Sequence, residues 1–316
     1  MTKRVLIGMP AFNGQIYATT VGLLMRLYAE KLPGISFDFF PLTGESLLPR
    51  ARDTLAHVVR KHDYTHLLFL DADVFCPAPV LGKLFEHEAD VLLAHYPRKT
   101  IDWEAVHVAS RFIDDGTFPG CHPKQLGQFA SPVIGDAEPG HDLADIVKGQ
   151  KPFPWRYGGT GCMLITKDIL NRVADAHPEL RYNSDRAEFE MIPFGEEISG
   201  MFQLAIVEES ELGMGEMTPG RVSRRLLSED YSFCYRVRNL GGTIMMHPGV
   251  KMKHVGTHIF DTCISRLTIE GVRQHEGENP EGDRLVAGDQ GRKTVNFESG
   301  PNTGDRQLFG QSGQHA

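Results

Sequence analysis

The sequence predicts an α/β protein built on a mostly parallel sheet flanked by helices. Three observations carry that expectation. Short apolar runs alternate with longer amphipathic stretches over the first hundred residues. One run, His66-Leu67-Leu68-Phe69-Leu70, is nearly all apolar, as in a strand covered on both faces. The 316 residues are 41% hydrophobic and 23% charged, an ordinary globular balance with enough apolar material for such a core.

Taken in order, residues 4–9 read as a strand, 16–31 as a helix and 35–40 as a second strand. Residues 47–61 read as a helix, with Leu55, Val58 and Val59 at helical spacing. A third strand is expected at 66–70, a short helix at 80–86 and a fourth strand at 90–94. Strands alternating with helices of this length imply parallel pairing through crossover helices. Ligands of such sheets lie beyond the carboxyl ends of the strands. The segments to watch are therefore 10–14, 41–45, 71–73 and 96–99.

From 100 to 155 the pattern dissolves into a Gly-, Pro-, Asp- and His-rich stretch, expected to form loops over the site. A strand is expected at 160–165, a helix at 167–174 and an apolar run at 202–207. Ser228 reads as the N-cap of a helix through Arg238, with two acids in its first turn. Gly241-Gly242 ends it, and 243–246 is another strand. After about Thr268 the chain turns Gly-, Asp-, Asn- and Gln-rich, and a flexible, disordered tail over 268–316 is expected.

Composition narrows the function classes. A formal net charge of −8 gives no general electrostatic reason to bind nucleic acid or an anionic membrane. The opening Met-Thr-Lys-Arg runs straight into Val5-Leu6-Ile7 without a secretory h-region. No apolar run approaches the roughly 20 residues that span a bilayer, so no transmembrane segment is expected. The five cysteines are odd in number and form no C-x-x-C pair, which argues against a zinc knuckle or disulfide framework. A cytoplasmic, reducing setting is the expectation.

The most informative stretch is His66 to Asp73, where a buried strand delivers Asp71 and Asp73 at its carboxyl end. Two like charges this close raise each other's pKa unless a cation compensates. A divalent cation does so, and hard oxygen ligands suit Mg²⁺ or Mn²⁺. Such a cation can neutralise a diphosphate and improve it as a leaving group. A solvated Asp-x-Asp turn is the bland alternative.

This D-x-D after two strand–helix units resembles the GT-A (Rossmann-like) glycosyltransferases, in particular the family-2-like group. The resemblance implies that Asp71, Ala72 and Asp73 meet the metal and the ribose and diphosphate of a nucleotide-sugar. The opening Gly8 to Gly14, with Pro10, Ala11, Phe12 and Asn13, is similar to the first nucleotide-contacting loop. Arg50-Ala51-Arg52-Asp53 opens the helix where the family carries base- or ribose-facing residues, here Arg52 and Asp53. Trp155 to Met163 resembles the glycine-rich segment beside the donor sugar, placing Gly158 and Gly159 there. The resemblance runs over about 3–262, with 100–155 and 183–222 unmatched. It implies one domain over 1–267, split into a nucleotide-binding half (1–99), the loop excursion and an acceptor-side half (156–267).

Glu229-Asp230-Tyr231-Ser232-Phe233-Cys234-Tyr235-Arg236 is similar to the family's E-D-x-x-F-x-x-R helix start. The resemblance implies that Asp230, with Glu229 as the fallback, is the general base of an inverting transfer to an acceptor hydroxyl. Helix N-terminal electrostatics alone also favour acids there. His254 is the candidate third metal ligand beside Asp71 and Asp73, with His247 and His258 as competitors. The His254–His258 spacing lacks the Glu of H-E-x-x-H, so zinc hydrolysis is rejected. Arg98 and Lys99 follow the fourth strand and could set a cation on the diphosphate, or simply be solvated.

UDP-sugar is the default donor over GDP-sugar, by family frequency. Rival readings are a haloacid-dehalogenase-type phosphohydrolase with Asp71 as nucleophile, a sugar nucleotidyltransferase, and a binding module without turnover. Against the first, about 65 residues precede the D-x-D, and its late acid candidate, Asp289, lies in the expected tail. The acceptor, the sugar and the oligomeric state are not legible.

Overall fold

The computed structural model describes residues 2–114, 131, 135–137, 151–185, 191–212 and 223–262. Strands β1 (Lys3–Pro10), β2 (Ile35–Leu42) and β3 (His66–Leu70) are linked by helices α1 (Ala18–Glu30) and α2 (Leu48–Lys61). Next come β4 (Val74–Phe75), α3 (Ala78–Gly82), a 3₁₀ turn at Lys83–Glu86 and β5 (Val91–His95). They are followed by α4 (Trp103–Asp114), β6 (Gly135–Ala137), β7 (Phe153–Gly158), β8 (Cys162–Thr166) and α5 (Lys167–Ala176). The short strands β9 (Arg181–Asn183), β10 (Glu197–Ser199), β11 (Ile206–Glu208) and β12 (Arg224–Leu226) lead to α6 (Glu229–Asn239). The last described elements are β13 (Ile244–Lys251), β14 (Lys253–Val255) and β15 (Ile259–Phe260).

Eight strands form the main sheet in the order β2-β1-β3-β8-β5-β13-β7-β6. The pairs β1–β2, β1–β3 and β5–β13 are parallel, while β8 is antiparallel to both β3 and β5. β7 is antiparallel to β13 and to β6, so six of the eight strands share one direction and β7 and β8 oppose it. The mostly parallel sheet flanked by helices is thus as the sequence predicts. An antiparallel strand, β8, lies between β3 and β5, the third and fourth strands that the sequence predicts. A buried apolar strand looks the same to its neighbours in either direction, so periodicity does not reveal this insertion.

Alternation of side chains divides the sheet's apolar residues between two cores. Leu6, Leu67, Phe69, Leu93 and Met163 pack on one face with α2, α5 and α6 residues such as Leu55, Ile169 and Phe233. Val5, Ile7, Leu68, Leu70 and Leu92 pack on the other with Leu23, Leu24 and Leu27 of α1 and Leu81 of α3. Burial on both faces explains why β3 and β5 are apolar but for one terminal histidine each. Thr166 caps α5 by accepting a hydrogen bond from Ile169 N at 3.3 Å.

Two further expectations are corrected. Within 100–155 the described residues include α4, β6 and the first half of β7, so this stretch is not loop alone. Ser228 is the N-cap residue of α6, but its hydroxyl makes no capping bond and instead donates to Asp230. Cys76, Cys162 and Cys234 are free and buried. No helix among the described residues is long and apolar enough to cross a membrane. The flexible tail expected over 268–316 lies outside the described residues.

Candidate functional site

The site begins where β3 ends. Asp71 N donates to Gly161 O at 3.0 Å, and Tyr17 N donates to Ala72 O at 3.0 Å, so this turn is tied to two neighbouring loops. Two residues on, β4 pairs antiparallel with β14 in a register that sets His254 opposite Val74. Val255 N donates to Asp73 O at 2.8 Å. This small sheet brings His254, far along the chain, to Asp73.

Both carboxylate oxygens of Asp73 are engaged. His254 Nε2 lies 3.3 Å from Oδ1, and the Lys99 ammonium donates to Oδ2. His254 Nδ1 is 2.8 Å from Pro97 O, a contact in which Nδ1 donates, and this turns the Nε2 edge of the ring toward Asp73. Burial alone would push the Asp73 pKa up, but the bonds from His254 and Lys99 outweigh it and hold the carboxyl below its usual range. The expected mutual repulsion within the D-x-D is therefore answered by side-chain cations.

Asp71 is held separately. The guanidinium of Arg52, on α2, donates from Nη2 to Asp71 Oδ1 at 3.1 Å. Its Nε lies 3.5 Å from Glu229 Oε1, an ionic contact rather than a hydrogen bond. Arg52 is only 2% exposed and its carbon centre stands 5.0 Å over the Phe69 ring. Arg52 thus faces the carboxylates of Asp71 and Glu229. Asp71, Asp73 and His254 do not gather into one cluster: among the described residues no group of three His, Cys, Asp or Glu side chains is placed to hold a metal ion.

Glu229 and Asp230 open α6 on the far side of Arg52. Asp230 Oδ1 accepts from Tyr231 N at 2.8 Å and from Ser228 Oγ. Burial raises the pKa of both acids, and for Glu229 the Asp230 charge raises it further. For Asp230, desolvation outweighs the bonds from Ser228 and Tyr231 and the Arg52 charge.

Asp53, one residue beyond Arg52, is not part of this cluster. It is fully buried, and its carboxylate accepts from Phe202 N at 2.7 Å, Gln203 Nε2 at 2.7 Å and Tyr182 OH at 3.4 Å. Burial pushes its pKa up to about 7 despite these donors. Successive helix residues point about 100° apart, so Arg52 and Asp53 cannot both face the ligand side.

The glycine-rich link also differs from expectation. Gly158 and Gly159 are buried, and a Cβ on Gly158 would collide with the Leu93 side chain, which makes Gly158 a packing residue. Gly161 is the one that shapes the site. Its N–H donates to Tyr96 OH at 2.9 Å, and a Cβ there would meet the Tyr96 ring at 2.5 Å. Tyr96 is buried, its ring is edge-on to His254 at 5.7 Å, and burial and the Asp71 charge hold its hydroxyl well above the ordinary range.

In the first loop, Phe12 is 61% exposed and Asn13 is exposed, whereas Ala11 is buried with its N–H on Leu42 O at 2.8 Å. Pro10 ends β1 opposite Leu42. Arg98 is exposed beside Lys99. The fold therefore brings Arg52, Asp71, Asp73, Lys99, His254, Glu229 and Asp230 to one end of the sheet, and leaves Asp53 and Gly158 in the interior.

No family model and no curated protein matches the chain. Thirty-seven chains of solved structures match. One, the crystal structure of A197 from STIV, aligns at 11% identity over 80% of this chain and 86% of its own, with a TM-score of 0.40. Another, CMP:2-keto-3-deoxy-manno-octonic acid synthetase complexed with CTP, aligns at 10% identity over 88% of this chain and 99% of its own, with a TM-score of 0.32. Neither likeness is deep enough to bear on chemistry, which the site's own residues must carry.

Proposed function

We propose that this protein is a metal-dependent glycosyltransferase that moves a sugar from a nucleoside-diphosphate-sugar, by default a UDP-sugar, to an acceptor hydroxyl. The observation that carries the reading is the placement of two acid pairs on either side of one buried arginine. Asp71 and Asp73 end β3, Glu229 and Asp230 open α6, and Arg52 touches a member of each. A displacement at an anomeric carbon needs such a division: one side holds the leaving diphosphate and the other takes the acceptor proton.

Charge supports a divalent cation. Four carboxylates face two permanent cations, Arg52 and Lys99, so a bound diphosphate would add negative charge to a site already acidic. Asp73 and His254 suit such an ion: an oxygen and an imidazole nitrogen converge, and Pro97 O orients the imidazole. These two would hold Mn²⁺ or Mg²⁺, with diphosphate oxygens completing the shell. The ion would neutralise charge on the departing diphosphate. Asp71, held by Arg52, suits ribose or water contacts better than direct ligation.

On the acceptor side Asp230 is the base and the transfer inverts. Burial raises its pKa, which strengthens it as a base relative to an ordinary aspartate. Phe12 and Asn13, exposed in the loop after β1, line the nucleotide end.

The test is to incubate the protein with Mn²⁺ and a panel of nucleotide-sugars and to follow nucleoside diphosphate release. Release with at least one donor, abolished by chelator, supports the reading. Inorganic phosphate released from a phosphomonoester would instead make Asp71 the nucleophile of a phosphohydrolase.

A further inference from the structure

Lys99 and a divalent cation compete for Asp73, because two positive charges beside one carboxylate repel each other. The two oxygens of that carboxylate are divided between His254 Nε2 and the Lys99 ammonium. With Nδ1 donating to Pro97 O, the imidazole can give up the Nε2 proton and become a ligand where it stands. The ammonium has three N–H bonds and no lone pair, so it cannot sit inside the coordination shell of a cation.

The surroundings give Lys99 a way to move. Its stem packs closely over Gly256, where a Cβ would meet Lys99 Cδ at 3.2 Å and Cγ at 3.6 Å, so no side chain there crowds the lysine. Lys99 is 39% exposed at the side chain, against 23% for Asp73. The loop that carries it is anchored at its root rather than its tip: Tyr96 OH accepts from Gly161 N and Pro97 O meets His254 Nδ1.

We propose, on the basis of the nucleotide-sugar reading above, that Lys99 occupies Asp73 in competition with a divalent cation. Once released from that carboxylate, its ammonium binds the donor diphosphate. Lys99 therefore opposes metal binding before the donor arrives and assists the donor afterwards. An empty site keeps Asp73 compensated, and metal and diphosphate load together.

The experiment is calorimetric titration of the full-length protein with MnCl₂ alone, then with UDP at saturating Mn²⁺. Lys99→Met should bind Mn²⁺ roughly five- to tenfold more tightly than wild type, because a partly exposed charge-assisted contact is removed. The same variant should bind UDP roughly tenfold more weakly, because a phosphate contact is lost. Lys99→Arg should keep the wild-type Mn²⁺ affinity. Lys253→Met removes a charge one residue from His254 but paired to Asp261 at 3.5 Å, and should leave Mn²⁺ binding unchanged.

Unchanged or weaker Mn²⁺ binding by Lys99→Met overturns the proposal while leaving the functional reading intact if wild type still binds UDP. Equal tightening in Lys253→Met overturns it as well, by reducing the effect to net charge. Mn²⁺ binding by neither protein also overturns it. Tighter Mn²⁺ binding without UDP binding by any form supports the competition and sinks the nucleotide-sugar reading.

Discussion

Nε of Arg52 lies 3.5 Å from Glu229 Oε1, although Arg52 belongs to α2 and Glu229 to α6. The same guanidinium donates to Asp71 at 3.1 Å, so one buried cation ties the turn after β3 to the start of α6. Removing one partner of a buried ion pair leaves the other charge uncompensated, which costs about 3–5 kcal/mol.

Arg52→Gln should therefore lower unfolding stability by about 2–5 kcal/mol. Arg52→Lys, a point charge that cannot span both carboxylates, should fall between it and wild type. Urea denaturation of the three proteins checks this. A Gln variant within about 0.5 kcal/mol of wild type, the usual range of a surface change, would show that the bridge is energetically idle.

Asp73→Ala should abolish Mn²⁺-dependent UDP binding while leaving the melting temperature nearly unchanged. The carboxylate lies beyond the strand end and fills no core space, so no cavity opens. Calorimetry with and without EDTA reads the first effect and a thermal melt the second. Undiminished UDP binding by wild type in excess chelator would remove the cation from the account.

Asp230→Asn should reduce kcat by about 10²–10⁴-fold with UDP affinity unchanged. Because burial raises the Asp230 pKa, wild-type activity should fall as pH drops through a value above the ordinary carboxylate range. Product NMR should show inverted anomeric configuration. Retention of the donor's configuration would defeat the assignment of Asp230 as base.

Gly161→Ala should displace Tyr96 and, through it, the turn that holds Asp71 N. A methyl 2.5 Å from the ring carbon and 2.8 Å from the hydroxyl cannot be accommodated without movement. Overpacking of this kind costs about 1–3 kcal/mol. Denaturation should show that loss together with weaker UDP binding. Wild-type values for both would mean that Tyr96 shifts freely.

Asp53 gives a pH signature. Its folded pKa, about 7, lies above the ordinary value of 3.8, so between these values the folded state holds a proton that the unfolded state has lost. The resulting penalty is absent below about pH 4, grows through neutrality and is complete above pH 7. Asp53→Asn lacks this titration, so the stability of wild type relative to the variant should decline from pH 5 to pH 8. Parallel stability curves for the two proteins over that range would show that Asp53 titrates normally.

Much of this molecule is legible in local patterning. The β3 bounds, the runs of β1, β2 and β5, and the helices α1, α2, α5 and α6 can be read because apolar spacing matches the period of each element. The position of Asp71 and Asp73 is legible too, since a buried strand must carry the residues after it to the sheet's carboxyl edge. Three things are not. The antiparallel seat of β8 between β3 and β5 depends on sheet pairing, to which a uniformly apolar strand is indifferent. Which of Arg52 and Asp53 faces the acids depends on how α2 is rolled against the sheet, and the structure turns Asp53 inward to cap Phe202 N. The meeting of His254 and Lys99 on Asp73 depends on the pairing of β4 with β14 and on the path past Gly256, contacts far apart in the chain. Sequence determined which chemical groups reach the end of the sheet; tertiary packing decided which charge neutralises which, because partnership depends on ångström distances that no spacing along the chain encodes.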